Sequence, residues 1–86
     1  LERIIKANQK NDLKEHYFRS LLLSRYPDLT TSDIEICTFI KLGLTNKEIA
    51  RLRGTSVNSI KAYKYRIRKK MQLKSRENID KHLKSI

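Results

Sequence analysis

The run Gly43-Leu44-Thr45-Asn46-Lys47-Glu48-Ile49-Ala50-Arg51-Leu52-Arg53-Gly54-Thr55-Ser56-Val57-Asn58-Ser59-Ile60-Lys61 decides how this chain folds. Thr45 and Glu48 have the T-x-x-E spacing of a capping box, in which hydroxyl and carboxylate each satisfy an orphan amide at a helix start. The short helix they open carries Ile49, Ala50 and Leu52 as core residues. Gly54 stops it, because glycine accepts the left-handed torsions that close a helix. Ser56 then caps a second helix that runs to about Met71, with Ile60, Tyr63, Ile67 and Met71 spaced by three or four on the inward face. A short helix, a tight turn and a long basic helix make a helix-turn-helix, whose second helix enters the DNA major groove.

Working outward, Thr30 opens a preceding helix, with Asp33 favourably placed near its positive end. Its buried face is Ile34, Cys37, Ile40 and Phe39, and Gly43 stops it. Upstream, an amphipathic helix from about Leu13 to Arg25 carries Tyr17, Phe18, Leu21, Leu22 and Leu23, and Tyr26-Pro27-Asp28 ends it. Leu1, Ile4 and Ile5 fit one side of a short helix over residues 1–9, which Asn11-Asp12 breaks. After Ser75 a last short helix turns Ile79 and Leu83 inward. The expected fold class is all-α, a four- to five-helix bundle containing the helix-turn-helix. Residues 1–12 read as an N-terminal extension or the end of a linker, and 13–86 as the domain itself. The first residue is Leu, which suggests a domain excised from a longer chain carrying its sensor upstream.

The charge is as uneven as the pattern. Residues 1–46 balance at +1, residues 47–76 at +10 and residues 77–86 at zero, within a total of +11. A one-sided basic field on folded helices is the footprint of a nucleic-acid binder. No apolar run approaches the roughly 18 residues of a membrane span. A single cysteine rules out an internal disulfide, in keeping with a reducing cytoplasm. Cys37 on an apolar face reads as a small core residue. His16 and His82 fall in different elements with no cluster at ligand spacing, so no metal is expected, and no other cofactor. Ser56 and Ser59 have no histidine and acid partners, so no catalysis is expected either.

The residues also resemble a family. Leu29-Thr30, Gly43-Leu44-Thr45-Asn46-Lys47-Glu48-Ile49-Ala50, Ser56, Ser59-Ile60-Lys61, Ile67, Lys70-Met71 and Ser75-Arg76 look like the C-terminal DNA-binding domain of the LuxR/FixJ/NarL bacterial transcriptional regulators. The resemblance spans about residues 29–83. Tyr26-Pro27-Asp28-Leu29-Thr30 and the Tyr65 to Lys70 run look like a Bacteroidetes-type variant. This chain departs from the family pattern in having Thr55 and Arg53 at usually apolar positions, with Leu52 expected to take over the packing. Ser59 replaces the usual Thr and Tyr63 the frequent His.

The outward face of the long helix, about 57–71, supplies the expected readers. Lys61 can donate to guanine, Asn58 can pair with adenine, and Val57 or Ala62 can touch a thymine methyl. The resemblance implies base contacts at Lys61, Ala62 and Tyr65. Phosphate contacts are expected from Thr45, Asn46 and Lys47 at a helix start, and from Lys64, Arg68 and Lys69 beside the groove. With five or six such contacts, log affinity is expected to fall with log salt at a slope near −5. Family members often dimerise through the final helix, which implies Ile79, Leu83 and Ile86 as exposed apolar candidates for a homodimer formed on DNA. RNA polymerase is a further expected partner, and no membrane contact is expected of this domain. Two other readings compete. One is a sigma-factor region-four-like promoter-binding module, against which Gly43 to Asn46 and the Lys70 to Arg76 ending count. The other is a basic RNA or membrane-surface module, which would need to leave exposed an apolar face that the core requires.

Overall fold

The computed structural model describes residues 16–74 and 76–86. Residues 16–25 are helical and form the described part of α1. Four helices follow: α2 (Thr31–Lys41), α3 (Asn46–Arg53), α4 (Val57–Lys70) and α5 (Ile79–Lys84). Among the described residues there is no strand, and the fold is all-helical. The expected helix over 1–9, the start of the first amphipathic helix near Leu13 and the Ser75 position lie outside the described residues.

The helix starts follow the local chemistry. Thr30 and Thr45 each form a reciprocal capping box, with Asp33 and Glu48 respectively. Ser56 accepts the Ser59 N–H at 3.1 Å, and Asn78 accepts from Asp80 and Lys81 at the head of α5. The stops of α2, α3 and α4 share one geometry, a pair of bonds running back from a left-handed residue and the residue after it. Leu44 N–H reaches Phe39 O at 3.1 Å, Thr55 N–H reaches Ala50 O at 2.9 Å, and Leu73 N–H reaches Arg68 O at 3.1 Å. The left-handed residue of each stop is Gly43 (φ 88°), Gly54 (φ 65°) and Gln72 (φ 57°). Glycine takes that conformation freely, whereas a side chain there costs about 1–2 kcal/mol. Gln72→Gly is therefore expected to stabilise the domain by about 0.5–1 kcal/mol after the added unfolded-state entropy is set against it, as a raised denaturation midpoint in urea would show.

The core gathers one stripe from every helix: Phe18 and Leu22 of α1, Ile34, Ile36, Cys37 and Ile40 of α2, Ile49 and Ala50 of α3, Ile60 and Ile67 of α4, and Ile79 and Leu83 of α5. Leu29 and Met71 close it from the connections. α3 packs on α4 and α2 on α5. The thiol of Cys37 is pushed up to about 12 by burial and by the charge of Asp33.

Several expectations are corrected here. Tyr17 and Leu23 are exposed (69% and 43%), because the stripe through Phe18 and Leu22 turns them roughly a quarter turn or more away from the core. Ile36 is fully buried although the periodicity of α2 did not require it. Leu52 is 63% exposed and packs nothing in place of Arg53, since Ile49 and Ala50 fill the α3 contact. Tyr63 is half-buried at the edge of the core and not within it.

Polar contacts tie the ends of the helices together. Asp33 is buried, and its Oδ2 accepts both the Thr30 N–H at 2.9 Å and Lys70 Nζ at 2.6 Å. Burial raises the Asp33 carboxyl, but the bonds from Lys70 and Thr30 outweigh it and hold the group below its ordinary value. Lys41 Nζ donates to Lys84 O at 3.0 Å and lies 5.9 Å from the Phe18 ring centroid, joining α5, α2 and α1. Tyr26 Oη and His82 Nε2 are 2.8 Å apart.

Candidate nucleic-acid interface

The interface begins with what α4 leaves uncovered. Ile60 and Ile67 are fully buried. On the opposite side Asn58, Lys61, Ala62, Tyr65 and Lys69 are all exposed. At 3.6 residues per turn these five fall within an arc of about 100°, a single stripe along the helix. Tyr65 is 58% exposed, and Lys69 Nζ lies 4.6 Å from its ring centroid. The stripe thus carries amide, ammonium, methyl and phenol groups, which suit base edges, and ends on an aromatic ring paired with a cation.

Val57 does not belong to that stripe. It is half-buried and packs against the core, because the first turn of α4 rotates it toward the side of Lys64 and Arg68.

At the head of α3 the capping box engages the Thr45 N–H and one lone pair of its hydroxyl, and leaves the hydroxyl proton of this exposed residue free to donate. The Thr45 hydroxyl accepts the Glu48 N–H at 3.2 Å, and the Thr45 N–H donates to Glu48 Oε1 at 3.0 Å. The Thr45 backbone bond, with its hydroxyl, holds the Glu48 carboxyl below its ordinary value. The first-turn amides of Asn46 and Lys47 take no part in this box and sit at the positive end of the helix. Asn46 is half-buried and its Oδ1 is enclosed without a hydrogen-bond partner. The same side-chain amide carries two N–H donors, the groups a phosphate would take. The Lys47 side chain is exposed.

Two of the residues expected beside the groove are engaged inside the fold. Lys64 Nζ lies 3.2 Å from Asp80 Oδ1, with only 13% of the lysine side chain exposed. The Arg68 guanidinium donates to the carbonyls of Lys74, at 3.0 Å, and Glu77. Both sit on the same flank of α4, four residues apart, and fasten α5 and the segment before it to the long helix. A tally of charge cannot show this. The signal available was Asp80, the acid in the first turn of α5.

The expected dimer contacts are corrected on the same grounds. Ile79 and Leu83 are 5% and 0% exposed, so they fill the domain's own core and offer no free apolar surface. Ile86 is half-buried against that core. Other contacts had no forecast: Arg53 pairs with Glu35 at 2.9 Å, and both Arg53 and Arg66 lie over the Tyr63 ring.

Among the described residues no group of His, Cys, Asp and Glu could hold a metal ion, and no helix is long and apolar enough to cross a membrane. Comparison with known proteins gives one informative result: the family model GerE, described as bacterial regulatory proteins of the luxR family, matches residues 27–81. No curated protein and no solved structure matches the chain. The matched span runs from the turn after α1 into α5 and includes the whole helix-turn-helix with its exposed stripe. The chain therefore belongs to the LuxR family of bacterial regulatory proteins, and its helix-turn-helix is a non-enzymatic domain of the kind with which transcriptional regulators bind DNA.

Proposed function

We propose that this domain binds duplex DNA sequence-specifically by seating α4 in the major groove. The observation that carries the reading is the Asn58, Lys61, Ala62, Tyr65 and Lys69 stripe, exposed along the face of α4 opposite its buried isoleucines. Within it, Lys61 donates to guanine, Asn58 pairs with adenine, and Ala62 and Tyr65 meet bases or thymine methyls. Lys47, the first-turn amides of α3 and Lys69 hold phosphates on either side. Lys64 and Arg68 act indirectly, by keeping α5 against α4. Residues 13–86 form the functional unit, working in the cytoplasm where the DNA lies.

Pairing is assigned to adjacent half-sites on DNA, where phosphates neutralise the exposed cations and neighbouring sites raise the effective concentration. It does not use Ile79 or Leu83, which are already spent. RNA polymerase is the natural second partner of a regulator bound beside a promoter.

Substitution separates reading from gripping. Lys61→Ala is expected to cost about 1–3 kcal/mol on the preferred site and to flatten the base preference at one position. Lys47→Ala is expected to weaken all sequences alike and to reduce the salt slope by about one. Selection from a random duplex pool measures both. Full specificity in Lys61→Ala would sink the assignment of α4 as the reading element.

A further inference from the structure

Arg53 is the last residue of α3, beside the left-handed Gly54 that pivots the chain into α4. Its side chain is 19% exposed and meets two other helices. Nη1 lies 2.9 Å from Glu35 Oε1 on α2, and the guanidinium carbon lies 5.5 Å from the centroid of Tyr63 on α4. Arg66, one turn further along α4, covers the same ring at 4.7 Å. Tyr63 in turn packs against the core. Three helices thus converge on one guanidinium at the pivot of the helix-turn-helix.

Contacts of this kind differ from the apolar packing around them. Hydrophobic burial is non-directional and tolerates small rotations of one helix on another. A planar guanidinium held by a carboxylate on one side and an aromatic ring on another permits fewer orientations. The angle between α3 and α4 fixes where Asn58 and Lys61 lie relative to Lys47 and the first-turn amides of α3. A small change in that angle moves the readers off their base edges, while the phosphate contacts of Lys47 and the α3 amides do not depend on it.

We propose that Glu35, Arg53, Tyr63 and Arg66 form a positioning bracket that sets the angle of α4 against α3, and so tunes base preference without touching a base. The inference rests on the proposed major-groove reading. Its test uses the full chain on two duplexes of equal length, the preferred site selected from a random pool and a scrambled version. Arg53→Leu is expected to weaken preferred-site binding about tenfold, the equivalent of part of one base contact, while scrambled-site affinity and the salt slope stay unchanged. Arg53→Lys keeps the charge but loses the planar stack, so about a threefold loss of preference is expected even though this conservative change leaves the core untouched. Tyr63→Phe retains the ring, and its preference should stay within twofold of the parent.

An unchanged preference in both Arg53 variants would overturn the bracket. So would a parallel loss on both duplexes with the slope falling by about one, since that marks Arg53 as a phosphate contact. A parent chain with no preference between the duplexes would overturn the major-groove reading, and the bracket with it.

Discussion

Leu83→Asp is expected to unfold the domain. Leu83 has no solvent exposure, on a helix of six residues that cannot persist unless it is docked. Truncating a fully buried leucine to alanine alone costs about 2–5 kcal/mol. An aspartate adds an unpaired carboxylate held out of water, which raises the total to about 5 kcal/mol or more. Small domains have only about 5–15 kcal/mol in hand. Thermal melts followed by far-ultraviolet circular dichroism should show the transition lost or lowered by tens of degrees. The half-buried Ile86 should tolerate Ile86→Asp far better. A Leu83→Asp protein that melts like the parent would show that α5 is not needed to complete the core.

The second large effect is electrostatic. Raising salt from about 50 to 200 mM is expected to weaken duplex binding roughly a hundredfold, a slope near −3 in log affinity against log salt, for three or four phosphate contacts per domain. This is shallower than the tally of basic residues suggests, because Lys64 and Arg68 already have partners within the fold. Fluorescence titration at several salt concentrations reads the slope directly. A value near zero removes DNA as the partner. A value near −5 would mean that Lys64 and Arg68 leave Asp80 and the two carbonyls when DNA arrives, making the attachment of α5 part of the binding reaction.

The parts of this fold legible in the sequence were those set by neighbours in the chain. Thr30 with Asp33, Thr45 with Glu48, Ser56 and the two glycines each act within a turn, so their spacing alone announced five of the helix boundaries. The inward faces of α4 and α5 followed from period, and the groove-facing stripe is largely what remains when that face is removed. What spacing could not convey was competition between elements. Leu52 loses its place in the core because Ile49 and Ala50 fill the contact, and Asp33 looks like a surface cap until Lys70 arrives from α4 to enclose it. The same holds for cations. Lys64, bound to Asp80, and Lys47, exposed at the head of α3, carry the same letter.

The shared oxygen of Asp33 bears on how the domain comes apart. One carboxylate oxygen finishes the first turn of α2 and also receives the ammonium from the last turn of α4. Neither helix end is complete without the other, although the residues joined lie 37 positions apart. Fraying at the C-terminal end of α4 would strip charge compensation from a buried carboxylate, and loosening of α2 would leave Lys70 without its acceptor. The start of α2 and the end of α4 are therefore expected to open together, which hydrogen exchange of their amides on a common timescale would show.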